Sequence, residues 1–136
     1  MLHLEIITPD RIAYTNQVDM VVVPGVDGQL GILPRHVGLF AQLIEGELKI
    51  KTGNEEIFLS IGGGFVEVTK TKVIVLVTRA VHASQLNEAE IVKAQAAARN
   101  ALNQKPDPSI VRAAQVLLRQ SIVDMRLLNK RKQRVH

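Results

Sequence analysis

Across residues 1–81 the apolar residues come in short β-branched runs, each stopped by turn formers before a helical pattern can be completed. Leu2–Ile7 is closed by Thr8-Pro9-Asp10, Met20–Val23 by Pro24-Gly25, and Leu39–Ile44 by Glu45-Gly46. Gln29–Leu33 follows Val26-Asp27-Gly28, and Leu48–Lys51 ends at Thr52-Gly53-Asn54. Ile57–Ile61 runs into Gly62-Gly63-Gly64, Phe65–Val68 follows, and Lys72–Thr78 comes after Thr69-Lys70-Thr71. Such spacing is the signature of an all-β sandwich or barrel, and the fold expected is an all-β sandwich of about ten short strands. Glu47-Leu48-Lys49-Ile50-Lys51 and Phe65-Val66-Glu67-Val68-Thr69 alternate apolar with polar, as strands with one wet face do. Lys72–Val77 is apolar on both faces and is expected to lie centrally. The glycine triplet sits between strand-like runs, where glycine marks a bulge, a bend or the close approach of another backbone.

The period changes near residue 82. Asn87 followed by Glu90 reads as a capping box, and an Ala-rich helix is expected to about Leu102. Asn103–Asp107, with Pro106, reads as a loop. Asp107-Pro108 restarts a helix, Asp as N-cap and Pro at the first helical position, running to about Lys132. Two helices joined by so short a loop predict an antiparallel hairpin. The domain expectation is a β-sandwich head over 1–83 and a two-helix C-terminal domain over 84–136. Ala89, Ala94, Ala96, Ala97, Ala98 and Ala101 on the first helix, with Ala113 and Ala114 on the second, permit a close approach of the axes. A seam of small residues buries little apolar area, so opening the hairpin is expected to cost little.

Charge divides along the same line. Residues 1–84 hold 7 Lys/Arg and 9 Asp/Glu, a balance of −2, whereas residues 85–136 hold 10 and 4, a balance of +6. A basic appendage on a slightly acidic body points to an acidic partner for the appendage. Within the second helix, Arg112, Arg119 and Arg126 recur every seven residues and share one face, drifting by about 20° per heptad. Lys130, Arg131, Lys132 and Arg134 extend this into a basic end, and Val111, Ala114, Leu118, Ile122, Met125 and Leu128 form an apolar stripe beside it. A solvated charged face would account for isolated cations, and cations near a helix C-terminus complement its dipole. Three arginines in register are better explained by a long acidic docking surface.

Several function classes are disfavoured. The chain has no cysteine, which excludes a disulfide scaffold, a Cys-based zinc site and a thiol nucleophile. His3, His36, His82 and His136 are scattered outside any metal-binding spacing, so no metal is expected. There is no Walker A motif and no G-x-S-x-G, so no catalytic residues are assigned and an enzyme is not expected. Met1–Asp10 lacks the basic and apolar regions of a signal peptide, and no apolar run approaches the roughly 20 residues that span a bilayer, so any membrane association should be peripheral. A stand-alone nucleic-acid adaptor is the competing use of a basic tail. No Phe, Tyr or Trp follows Phe65 to stack on bases, and no nucleic-acid partner is expected.

Pro24-Gly25-Val26-Asp27-Gly28-Gln29-Leu30-Gly31-Ile32-Leu33-Pro34-Arg35-His36 resembles the signature of the ATP synthase epsilon family, of the form G-x-x-G-x-L-G-I-L-P-x-H. Ile6-Ile7-Thr8-Pro9-Asp10 is similar to that family's first strand and turn, and Ile61-Gly62-Gly63-Gly64-Phe65-Val66-Glu67-Val68 to a second recurrent block. The resemblance covers essentially the whole chain. It implies a non-catalytic rotor subunit of a bacterial F-type ATP synthase, peripheral on the cytoplasmic face of the plasma membrane. The head would pack on the gamma subunit and rest on the membrane rotor ring, with Gln29, Arg35 and His36 as ring contacts. Gln29 stands where the family often carries an acidic residue, and Gly38 where it usually carries Pro. The tail would lie folded or extend toward the catalytic alpha and beta subunits. An acidic beta segment would then meet Arg112, Arg119, Arg126, Lys130, Arg131 and Lys132, inhibiting ATP hydrolysis. Some members bind ATP through an I/L-D-x-x-R-A motif, which makes an ATP-sensing module the other alternative. The matching stretch here is Ala89-Glu90-Ile91-Val92-Lys93-Ala94, with Glu90 for Asp and Lys93 for Arg. Lysine lacks the planar fork of arginine, so that ATP site is expected to be weak or absent, and no cofactor is assigned.

Overall fold

The computed structural model describes residues 1–35, 37–104 and 107–134, with residues 133 and 134 described by backbone alone. The chain divides into two compact units, Met1–His82 and Ala83–His136.

The first unit is the expected β-sandwich, with ten strands among the described residues. They are β1 (Leu2–Ile7), β2 (Ile12–Val18), β3 (Met20–Gly25), β4 (Gly28–Ile32), β5 (Leu39–Leu43), β6 (Gly46–Thr52), β7 (Glu55–Ile61), β8 (Gly64–Val68), β9 (Lys72–Val77) and β10 (Ala80–His82). They form one continuous sheet in the order β10-β7-β6-β3-β5-β8-β9-β1-β2, with β4 paired to β3. β3 is the corner. Its first half pairs with β6, and its last residue, Gly25, pairs with Leu43 of β5. The sheet can therefore fold over at that point and close a core between its halves. Inward positions follow the period of two: Leu2, Leu4 and Ile6 on β1, Val73 and Val75 on β9, and Leu48 and Ile50 on β6 are fully buried. β1 lies parallel to β9, the one parallel pair among the described residues.

β2 and β10 are absent from the strand-like runs of the sequence. β2 reads Ile-Ala-Tyr-Thr-Asn-Gln-Val, with polar residues on a mostly exposed edge, and β10 has only three residues. Both are held by pairing rather than by their own pattern. β9 lies between β8 and β1, inside its sheet as expected, but only one face is covered. Ile74 is half-buried and Leu76 exposed on the other.

The glycine triplet is a close approach. A Cβ on Gly62 would run into the Thr78 hydroxyl, and one on Gly64 into the backbone carbonyl of Leu76. At Gly62 Thr78 would have to rotate away, whereas at Gly64 the clash is with backbone, and Gly64 could not pair with Val77 if it carried a side chain.

In the second unit a 3₁₀ turn (Ala83–Gln85) precedes α1 (Glu88–Asn103) and α2 (Pro108–Arg134). Asn87 caps α1 through Oδ1, which accepts from Glu90 N–H at 3.1 Å. Asp107 caps α2, its Oδ1 accepting from the N–H groups of Ser109 and Ile110. The Ser109 hydroxyl and the Ile110 N–H hold the Asp107 carboxyl below the usual carboxylate range. α1 runs through Asn103, one residue beyond its expected end, and Pro106 of the expected loop lies outside the described residues. Lys132 near the end of α2 pairs with Glu88 at the start of α1, so the helices are antiparallel.

The seam differs in detail from its sequence reading. Ala98 and Ala114 are buried, but Ala89, Ala96, Ala97 and Ala113 are exposed. Ile122, placed in the apolar stripe, is also exposed, while Ser121, Leu127 and Leu128 are buried. At 100° per residue Ile122 stands about 80° from Ala114, whereas Ser121, Met125 and Leu128 cluster within about 40° of it. Hydropathy favours Ile122 and Ser121 in the wrong order; helix geometry decides between them.

Candidate functional site: three surfaces

The first surface is the outer face of strands β5, β8, β9, β1 and β2. Register brings Phe65 opposite Leu76, Leu76 opposite Ile7, and Ile7 opposite Ile12. Four apolar side chains thus make one row across four strands, about 14 Å at the usual strand spacing. Phe65, Leu76 and Ile12 are exposed and Ile7 half-buried. Phe40 on β5, also exposed, stacks on Phe65 with ring centroids 5.4 Å apart. A groove of ≈ 380 Å³ lined by Ile7, Pro9, Gly64, Leu76 and Val77 adjoins the row. The far end of this face is polar. His3 Nε2 lies 3.1 Å and Lys72 Nζ 3.4 Å from Glu5 Oε1. Desolvation raises the Glu5 carboxyl, but the hydrogen bonds and charges of His3 and Lys72 together outweigh it and hold the group below its ordinary range. An apolar row with a polar border is the composition of a protein-docking surface. None of these residues is singled out by the sequence reading. Phe65, Leu76 and Ile7 belong to separate strands, and only long-range register places them side by side.

The second surface comprises the expected ring contacts, and the structure separates them. Gln29 pairs with Pro24 at the turn end of β4 and lines a ≈ 460 Å³ pocket with Asp27, Leu39 and Phe40. Arg35 follows the opposite end of β4, beyond the Ile32–Val21 pair, and its N–H donates to Lys70 O at the β8–β9 turn. β4 alone separates those ends by about 10 Å. His36 lies outside the described residues. Arg35 has φ +64°, the left-handed region that costs a residue with a Cβ roughly 1–2 kcal/mol. Exposed Leu33 and Val37 flank this turn.

The third surface is on α2. Arg112, Arg119 and Arg126 are all exposed on one face of a continuous 27-residue helix, about 40 Å long. Lys130, four residues beyond Arg126, continues the stripe. Arg131 and Lys132 do not. Arg131 Nη1 donates to Ala83 O at 2.6 Å and to Leu86 O at 3.2 Å, and Lys132 Nζ donates to Glu88 Oε2 at 2.7 Å. Glu90 and Lys93 are exposed on α1. Among the described residues no group of His, Cys, Asp and Glu could hold a metal, and no helix is long and apolar enough to cross a membrane.

Residues 1–83 match the family model for the β-sandwich domain of the ATP synthase delta/epsilon chain, which defines the class of the first unit. Similarity to curated proteins extends through the second unit. The ATP synthase epsilon chain of Dehalococcoides mccartyi is 36% identical over 132 residues, covering 96% of this chain and 94% of that one. The epsilon chain of Chloroflexus aggregans is 36% identical over 135 residues, covering 98% and 97%. The chain belongs to the ATP synthase epsilon chain family. The same fold occurs in a chain of the Euglena gracilis mitochondrial ATP synthase, with TM-score 0.69 and 21% identity, covering 99% of this chain and 81% of that one. It also occurs in the central stalk and c-ring structure of the Tetrahymena thermophila mitochondrial ATP synthase, with TM-score 0.63 and 13% identity, covering 93% and 96%.

Proposed function

We propose that this chain is a structural and regulatory rotor subunit of a bacterial F-type ATP synthase, without catalytic residues of its own. It couples proton-driven rotation to ATP synthesis and restrains ATP hydrolysis through its helical hairpin. The head sits at the cytoplasmic face of the plasma membrane, held there by the complex. The Phe65–Leu76–Ile7–Ile12 row, with Phe40, is the face that meets the gamma subunit; its exposed aromatic pair is the anchor type that dominates protein interfaces. Gln29 and Arg35 meet the rotor ring as separate contacts, since the strand between them keeps them apart.

The regulatory half rests on one observation: Arg112, Arg119, Arg126 and Lys130 form an outward stripe along one unbroken helix. A rigid rod attached at several points to an acidic segment of the catalytic beta subunits would resist rotation in the hydrolysis direction. The test is deletion of residues 88–136 in the assembled enzyme. Hydrolysis should rise while the gamma contact survives, and the triple reversal of Arg112, Arg119 and Arg126 to Glu should act like the deletion. Hydrolysis unchanged by the deletion would refute the regulatory reading. ATP is not a ligand of α1 at physiological strength, because Lys93 cannot supply the bidentate fork of arginine. Calorimetry with Mg-ATP should show no heat that Glu90→Ala removes.

A further inference from the structure

The cations at the end of α2 are divided between two tasks. Lys130 continues the outward stripe. Arg131, one residue and about 100° further on, is half-buried. Its Nη1 reaches two carbonyls, Ala83 O at 2.6 Å and Leu86 O at 3.2 Å, in the segment that leads into α1. Leu86 itself is buried. Lys132 pairs with Glu88 in the first turn of α1, but both side chains are more than half exposed, so this pair contributes little by itself.

We infer that Arg131 is a latch that holds the hairpin closed, distinct from the stripe that meets the acidic partner. The inference rests on the reading that the hairpin opens in service. A guanidinium donating to two backbone carbonyls makes charge-assisted hydrogen bonds in a half-desolvated place, stronger than neutral ones. Ile91, Leu127 and Leu128 are buried along with Ala98 and Ala114, so the latch adds a polar tie to an apolar closure. It ties the last turns of α2 to the segment before α1, and α2 cannot move away from α1 without breaking it. Engagement is therefore staged. Arg112 and Arg126 are exposed while the hairpin is closed and can meet carboxylates then. Arg131 and Lys132 become available to them only after release, and each carboxylate they gain replaces a contact surrendered at Ala83, Leu86 or Glu88.

The experiment is amide hydrogen exchange on the full-length free subunit, comparing wild type with Arg131→Ala, Arg131→Lys and Arg112→Ala. Arg131→Ala should speed exchange in residues 83–104 by about tenfold, the loss expected for a hydrogen-bonded charge. Arg131→Lys keeps a charged donor but on a stem of different reach, and should fall between that variant and wild type. Arg112→Ala should match wild type. If Arg131→Ala prevents folding, Arg131→Lys decides alone. Exchange in the Arg131 variants no faster than in Arg112→Ala would overturn the latch. The free subunit has no acidic partner, so this failure is distinct from failure of the hairpin deletion to release hydrolysis.

Discussion

Removing the stacked pair on the outer sheet face should weaken docking to gamma far more than it weakens the head. Phe40 is 67% and Phe65 44% exposed, so each has apolar area left to bury on a partner. Taking about 200 Å² for a phenylalanine, roughly 130 Å² and 90 Å² remain. At about 25 cal/mol per Å² that is roughly 3 and 2 kcal/mol of binding as upper limits. Phe65→Ala should therefore raise the Kd for gamma by up to about 30-fold, and Phe40→Ala by up to about 100-fold. The ring contact at 5.4 Å adds coupling, and a double-mutant cycle should return about 0.5–1.5 kcal/mol between the two. Folding of the free subunit should change by within about 1 kcal/mol, the span of strand propensity at exposed positions. Isothermal calorimetry against purified gamma, with thermal unfolding of each variant, measures both quantities. An unchanged Kd for both single variants would refute the docking face. An equal loss in stability and affinity would show that the pair supports the fold instead.

Three further outcomes follow from local geometry. Arg35→Gly should stabilise the free subunit by about 1 kcal/mol, because φ +64° strains any residue with a Cβ, yet should weaken attachment to the rotor ring; thermal unfolding and ring co-purification measure the two. Gly64→Ala should cost about 3 kcal/mol or leave the head unfolded, since the new methyl meets Leu76 O, whereas Gly31→Ala, with open space around its Cβ position, should cost under about 1 kcal/mol in the same denaturant titration. Asp107 has its carboxyl held low in the folded state, so its cap contributes fully above the ordinary value of about 3.9 and is lost as pH falls through the lower folded value. Exchange of the Ser109 and Ile110 amides should therefore accelerate only at strongly acid pH, and Asp107→Asn should remove that acid step.

Much of this molecule is written in local pattern. The change of period near residue 82, the Asn87 and Asp107-Pro108 starts and the turn residues between strands mark where elements begin and end, because each depends on neighbours a few residues away. The glycine triplet announces a close approach for the same reason. β2 leaves no mark in the sequence because an edge strand with a wet face needs no apolar alternation, and hydropathy puts Ile122 in the seam because it cannot resolve one residue from the next on a helix.

Sequence alone determined the sandwich, the hairpin, the cationic tail and the in-register arginines, all of them properties of spacing along one segment. Tertiary structure alone decided that Phe65, Leu76, Ile7 and Ile12 share a row, that Gln29 and Arg35 part company, and that Arg131 turns away from Lys130 to grip two carbonyls. The row is joined by the parallel β1–β9 register, which sets Ile7 beside Leu76, and the Arg131 grip by packing between residues 48 and 45 positions apart; neither can be read from one segment.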